Sequence, residues 1–176
     1  MSDFFNRVTE ESDIFKKILS KIPGFSGYFE RQNRRAADQL VRQTVAARFE
    51  EQWKRLSGLQ RDLISHGEIQ YLDDLEGAAI KIRQFIDRIK TASYGYAGLF
   101  DSIKVNQEEL AKLYEYDLAL LDSVDELARA VDLVETSIGS EGLPAAIRNV
   151  TGVAQQAVEA FNRRSEVILS GQETAQ

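Results

Sequence analysis

The segment LDDLEGAAIKIRQFIDRI, residues 72–89, decides the fold because its apolar residues recur at alternating intervals of three and four. The positions that follow this rhythm are Leu72, Leu75, Ala79, Ile82, Ile86 and Ile89. Such spacing aligns side chains along one stripe of an α-helix. We therefore predict a helix here that buries one face against other helices.

The same rhythm appears on both sides of this segment. It recurs over residues 110–138 and 147–168, and in a less regular form over residues 29–65. A shorter apolar pattern covers residues 3–20, and no strand-like alternation competes with these patterns. The chain is therefore predicted to be all-α, with four long helices and a short N-terminal helix.

Glycine and proline mark where these helices end. They interrupt the pattern at residues 23–27, 66–67, 94–98 and 139–142. Helices joined by short turns lie antiparallel to each other. We predict a long antiparallel up-down-up-down four-helix bundle with an additional short N-terminal helix.

The length of 176 residues is that of one domain. We expect residues 1–176 to form a single helical domain. Within it, residues 1–21 would form an amphipathic N-terminal helix, residues 22–170 the helical bundle, and residues 171–176 a frayed tail.

The composition removes most kinds of reactive site. The chain contains no cysteine and a single histidine, His66, so it offers no thiolate nucleophile and no multi-histidine metal cluster. A di-metal site in a helical bundle needs Glu-x-x-His pairs, but Leu63 stands three residues before His66. No phosphate-binding glycine loop or nucleophile elbow is present. We expect a protein that is not an enzyme and holds no cofactor or metal, with His66 as a solvated cap at a turn.

The charge pattern bears on partners and location. The net charge is −6, and a modest basic excess in the first 55 residues forms no dense stripe, so we expect no nucleic-acid partner. The start of the chain has neither the basic region nor the apolar run of a secretory signal, and no stretch of about 18 apolar residues occurs. A cytoplasmic location is the expectation.

Two charged residues interrupt the apolar stripes. Asp117 lies between Leu113 and Leu120 in one helix, and Arg164 lies on the stripe of the last helix. Folding these two helices about residue 141 brings Asp117 level with residue 165, so we predict a buried or half-buried Asp117–Arg164 pair, with Ala79 at the same level. This pair is either a charged functional site or a polar layer that sets the alignment of the helices.

Aromatic, glycine and arginine residues are concentrated in two segments, residues 22–35 and 94–101, which the predicted topology places at one end of the bundle. Arginine there offers stacking and bidentate recognition of carboxylates or phosphates. The alternative is a small satellite core in which Glu30, Asp38 and Asp101 pair with the arginines. The candidate partner-binding residues are Phe25, Tyr28, Arg31, Arg34, Arg35, Tyr94, Tyr96 and Phe100.

The predicted N-terminal helix has three possible roles. Its apolar residues are interleaved with Lys16, Lys17 and Lys21, an arrangement found in helices that lie on membranes and in helices that dock in a protein groove. Packing on its own bundle is the third role. Acidic residues within residues 3–13 nearly cancel the lysine charge, which weakens attraction to anionic lipid.

Three hypotheses for function follow. The leading one is a non-enzymatic interaction or scaffold protein that acts through its helix faces and the aromatic-arginine end, with an unidentified protein partner or a second copy of itself. The second is a peripheral membrane protein anchored by residues 1–21. The third is a small-ligand-binding bundle or enzyme with a pocket near Tyr94, Tyr96 and Arg34.

Overall fold

The structure, a computed structural model, describes residues 13–14, 16–22, 34–92 and 107–173. For residues 34–38, 107–111 and 168–173 it describes the backbone only. Outside two bends and Ile22, every residue in these ranges is helical. The predicted all-α bundle with a short N-terminal helix is confirmed.

Four long helices make up the bundle. They are α1 (Arg34–Ser65), α2 (Leu72–Thr91), α3 (Gln107–Ser137) and α4 (Leu143–Glu173), and a 3₁₀ turn at Ile69–Tyr71 precedes α2. The N-terminal helix comprises residues 13–14 and 16–21. Helix α4 continues three residues into the segment predicted as a frayed tail.

The bend between α1 and α2 has the geometry that the His66-Gly67 pair predicts. Gly67 has φ +75°, the left-handed conformation in which an L side chain would be strained. The N–H of Glu68 donates to the carbonyl oxygen of Leu63 and that of Gly67 to Ile64, which satisfies the last carbonyls of α1. Gly139, with φ +82°, turns the chain between α3 and α4 in the same way.

The two bends lie side by side at one end of the bundle. The backbone N–H of Gly139 donates to Oε2 of Glu68 over 3.1 Å. Arg55 on α1 contacts Asp132 and Glu135 on α3. From these contacts to the one between Glu68 and Gly139, the residue numbers rise along both helices in the same direction. Helices α1 and α3 are therefore parallel neighbours, as are α2 and α4.

This arrangement is two antiparallel hairpins packed against each other. Helices α2 and α3 each pack against both α1 and α4. The chain direction alternates from one helix to the next, as predicted. However, α2 and α3 lie across the diagonal of the bundle rather than side by side. The pairs in close contact are the two hairpins, α1–α2 and α3–α4, and the parallel pairs α1–α3 and α2–α4.

One apolar core joins the described helices. It includes Ile18 of the N-terminal helix, Ile22 directly after that helix, and residues of all four long helices. The predicted stripe of α2 is buried apart from Leu72, which is half-buried. Phe85, outside that stripe, lies at the centre, with its ring centroid 4.6 Å from that of Phe49 on α1 and 6.3 Å from that of Phe161 on α4.

Candidate functional site

The structure brings Asp117 and Arg164 together inside the bundle. Nε of Arg164 donates to Oδ1 of Asp117 over 2.5 Å. Arg164 has no exposed surface, and Asp117 is 4% exposed. The periodicity of α3 and α4 positions both residues, because each occupies a stripe position flanked by apolar residues one turn away. A charge-assisted hydrogen bond compensates much of the cost of removing two charges from water.

The part of α2 that lies at the same height as this pair is not the predicted one around Ala79. Arg164 lies one turn beyond Phe161, and Phe161 packs against Phe85. The pair is therefore level with about residue 88 of α2, and Ala79 lies about 13 Å nearer the bends, at 1.5 Å per residue. The prediction was wrong because it treated α2 and α3 as adjacent helices folded about residue 98, whereas these two helices lie across the diagonal of the bundle.

The side chains of all eight candidate partner-binding residues lie outside the described part of the chain. Arg34 and Arg35 belong to the first turn of α1, where only the backbone is described. Six candidates lie outside the described residues, namely Phe25, Tyr28, Arg31, Tyr94, Tyr96 and Phe100. The proposed clustering of these side chains stays a prediction.

The helix ends that flank these segments do have a defined arrangement. Phe49 is level with Phe85, so Thr91, the last residue of α2, is level with about residue 43 of α1. Helix α1 begins nine residues earlier, which extends it past α2 by about 13 Å. Since Asp117 pairs with Arg164, the end of α4 is level with the start of α3. Three long helices therefore extend beyond the shorter α2 at the end opposite the bends.

An open groove of about 280 Å³ lies beside the end of α2. Its polar lining comes from α1 and α2, and Arg42 in it is 6% exposed. The lining residues are Gln39, Arg42, Gln43, Ile89 and Lys90. Two cations and two amides contribute to this lining, and Nζ of Lys90 also donates to Oε2 of Glu50 over 2.9 Å.

The N-terminal helix is attached to the bundle by charge as well as by its apolar face. Lys21 Nζ lies 2.6 Å from Oδ2 of Asp125 and 2.9 Å from Oδ1 of Asp122, both on α3. Nη2 of Arg48 donates to the carbonyl oxygen of Lys21 over 2.8 Å. The hydrogen bond to Asp125 raises the pKa of Lys21 above its ordinary value, against a smaller opposing effect of burial.

This attachment escaped the sequence analysis, because Lys21 and Asp125 are more than one hundred residues apart. The sequence features that could have indicated this contact are the place of Lys21 at the end of an apolar helix and the spacing of Asp122 and Asp125, three residues apart on one face of α3.

A second groove runs along the outer side of the α3–α4 hairpin, with a volume of about 460 Å³. Its floor is formed by Ala130 and Val153, and Leu133 beside it is 48% exposed. Polar residues form the rim, including Glu126 and Arg129.

His66 is exposed at the bend after α1, in agreement with its predicted place. Its Nδ1 lies 2.8 Å from the carbonyl oxygen of Asp62, in the last turn of α1. Within the described ranges, no three histidine or acidic side chains are grouped closely enough to bind a metal ion. No helix in the described part of the chain has the length and apolar character needed to cross a bilayer.

No protein-family model matches this chain, and no curated protein and no solved structure matches it.

Proposed function

We propose that this protein is a non-enzymatic interaction protein that docks a protein partner at the end of the bundle opposite the two bends. The single observation that carries the proposal is the unequal length of the helices at that end. Helices α1, α3 and α4 extend past α2, and an open groove with Arg42 and Lys90 in its lining lies beside the end of α2.

The sequence adds the chemistry of recognition to this shape. Arg34 and Arg35 are in the first turn of the projecting helix α1, and Arg31 precedes them. Tyr94 and Tyr96 follow directly after α2 along the chain. Arginine and tyrosine are enriched at protein interfaces because both combine a large contact area with directional hydrogen bonds. An acidic partner surface would complement the arginines and the groove.

The proposal is tested by affinity capture from native lysate with the full chain and a triple charge reversal, Arg31→Glu/Arg34→Glu/Arg35→Glu. A matched control reverses three exposed arginines that lie nearer the bends, Arg61→Glu/Arg129→Glu/Arg148→Glu, and so changes the net charge by the same amount. Circular dichroism must show both variants to be as helical as the wild type.

The expected result is that a partner captured by the wild type and by the control is lost with the Arg31/Arg34/Arg35 variant. Equal capture by both variants would contradict docking at this end. Light scattering of the same three proteins shows whether the partner is a second copy, because the Arg31/Arg34/Arg35 variant alone would then become monomeric.

A further inference from the structure

The N-terminal helix has an apolar face turned to the bundle and a basic face turned to solvent. Ile18 and Ile22 are buried at 0% and 2% exposure, whereas Lys16 and Lys17 are exposed. Ile14 and Leu19 are half-buried against the same core. The helix is therefore amphipathic in its docked position.

The sequence of this region is more basic than the N-terminal segment as a whole. Residues 14–22, IFKKILSKI, contain five apolar residues, three lysines and no acidic residue. A helix with one apolar face and lysines on the other lies readily in the interface of an anionic membrane. The acidic residues that lower the net charge of the segment all precede Ile14.

Among the described residues, the bundle forms an ion pair with one of the three lysines. Lys21 is held by the carboxylates of Asp122 and Asp125, which are 53% and 50% exposed. Lys16 has an ion pair of 3.7 Å, but its partner Asp13 is on the same helix. The two carboxylates surround the ammonium group of Lys21 with negative charge. Acidic lipid headgroups would provide similar surroundings to all three lysines at once.

We propose that the N-terminal helix leaves the bundle and binds membranes that carry anionic lipid, with the Lys21–Asp122/Asp125 contact as the latch that holds it docked. Ile18 and Ile22 leave one apolar environment for another, but release also exposes the core beneath the helix, so the charge interactions with anionic lipid must offset that loss. Without anionic lipid the helix stays on the bundle, because its release exposes the core beneath it. This contact is separate from the end proposed for protein docking.

The test is co-sedimentation of the full chain with vesicles of phosphatidylcholine alone or with 30% phosphatidylserine. Asp122→Asn/Asp125→Asn removes the latch. Asp132→Asn/Glu135→Gln neutralises as many acidic residues on the same helix, but these contact Arg55 instead of the N-terminal helix. We expect the latch variant to partition onto phosphatidylserine vesicles roughly three- to tenfold more strongly than this control, and neither to bind phosphatidylcholine alone.

Lys16→Gln/Lys17→Gln supplies the opposite test. Both lysines are exposed in the docked helix, so this variant keeps the fold but binds phosphatidylserine vesicles more weakly than the wild type.

Because the chain has no cysteine, Ser20→Cys creates a single labelling site, and an environment-sensitive dye there reports whether this helix enters the membrane. Equal partitioning of the latch variant and its control, or binding without a change at the dye, would overturn the proposal.

Discussion

Arg164 donates a hydrogen bond to Asp117 across 2.5 Å, in a layer of the bundle with apolar residues one turn to either side. The pair joins α3 to α4 at one relative height, because a shift of either helix by a turn would leave two charges buried apart. A buried ion pair is weak evidence for stability but does disfavour misaligned packing. We interpret it as a device that sets the alignment of the second hairpin.

Removing one partner of this pair should strongly destabilise the protein. Arg164→Ala leaves Asp117 as a buried carboxylate, and we expect the free energy of unfolding to fall by about 3–5 kcal/mol. Urea denaturation followed by circular dichroism measures the change.

The double variant Asp117→Leu/Arg164→Met is the matched control, since it removes both charges and fills the same layer with apolar side chains. It should unfold at a urea concentration close to that of the wild type or above it. A melting temperature for Arg164→Ala within one degree of the wild type would show that the pair carries no such cost.

Phe85 should be among the most sensitive apolar positions. Its ring contacts Phe49 and Phe161 and so links α1, α2 and α4. Phe85→Ala leaves a cavity at this junction and should cost about 3–5 kcal/mol of unfolding free energy. Ile80→Ala, on the same helix but 50% exposed, should change it by no more than about 0.5 kcal/mol. Similar losses for both would mean that Phe85 is not central to the core.

Two glycines should respond to alanine with opposite signs, although a Cβ at either meets no atom within 4 Å. Gly67 has φ +75°, so Gly67→Ala strains the bend and should cost about 1 kcal/mol. Gly77 is inside α2, where alanine is the better helix former, and Gly77→Ala should add about 0.5–1 kcal/mol. Thermal unfolding by calorimetry compares them, and a shift of the same sign for both would contradict this bend geometry.

Glu50 should titrate at lower pH than an ordinary glutamate. The hydrogen bond from Lys90 lowers the pKa of Glu50, and the charges of Lys90, Lys54 and Arg83 add to this effect. Its contribution to stability is therefore complete above the ordinary pKa of 4.5 and is lost as the pH falls through the lower folded value. Carboxyl carbon NMR measures this pKa.

Lys90→Gln is the variant that tests the cause. It removes the charged donor, so the pKa of Glu50 should rise toward 4.5. An unchanged pKa in Lys90→Gln would assign the shift to other charges near Glu50.

Helix positions and bends were predictable because their causes are local. The stripe of α2 follows from the intervals between its own apolar residues, and Gly67 was recognisable as a turn from its neighbours. The Asp117–Arg164 pair was within reach because one short bend relates the two helices, so counting residues from that bend is enough. Phe85 was missed, since it is beside the heptad stripe rather than on it, and its contacts with Phe49 and Phe161 come from two other helices.

Long amphipathic helices, the bends at Gly67 and Gly139, and two charges at one level of the second hairpin could all be predicted from the order of the residues. The parallel packing of α1 on α3 and the contact of Lys21 with Asp122 and Asp125 became visible only in the folded chain. The physical reason is that periodicity depends on residues a turn apart, whereas the choice of neighbouring helix depends on the fit of whole surfaces. The groups that meet in those surfaces are separated by 71 to 104 residues, and no local interval records which of them meet.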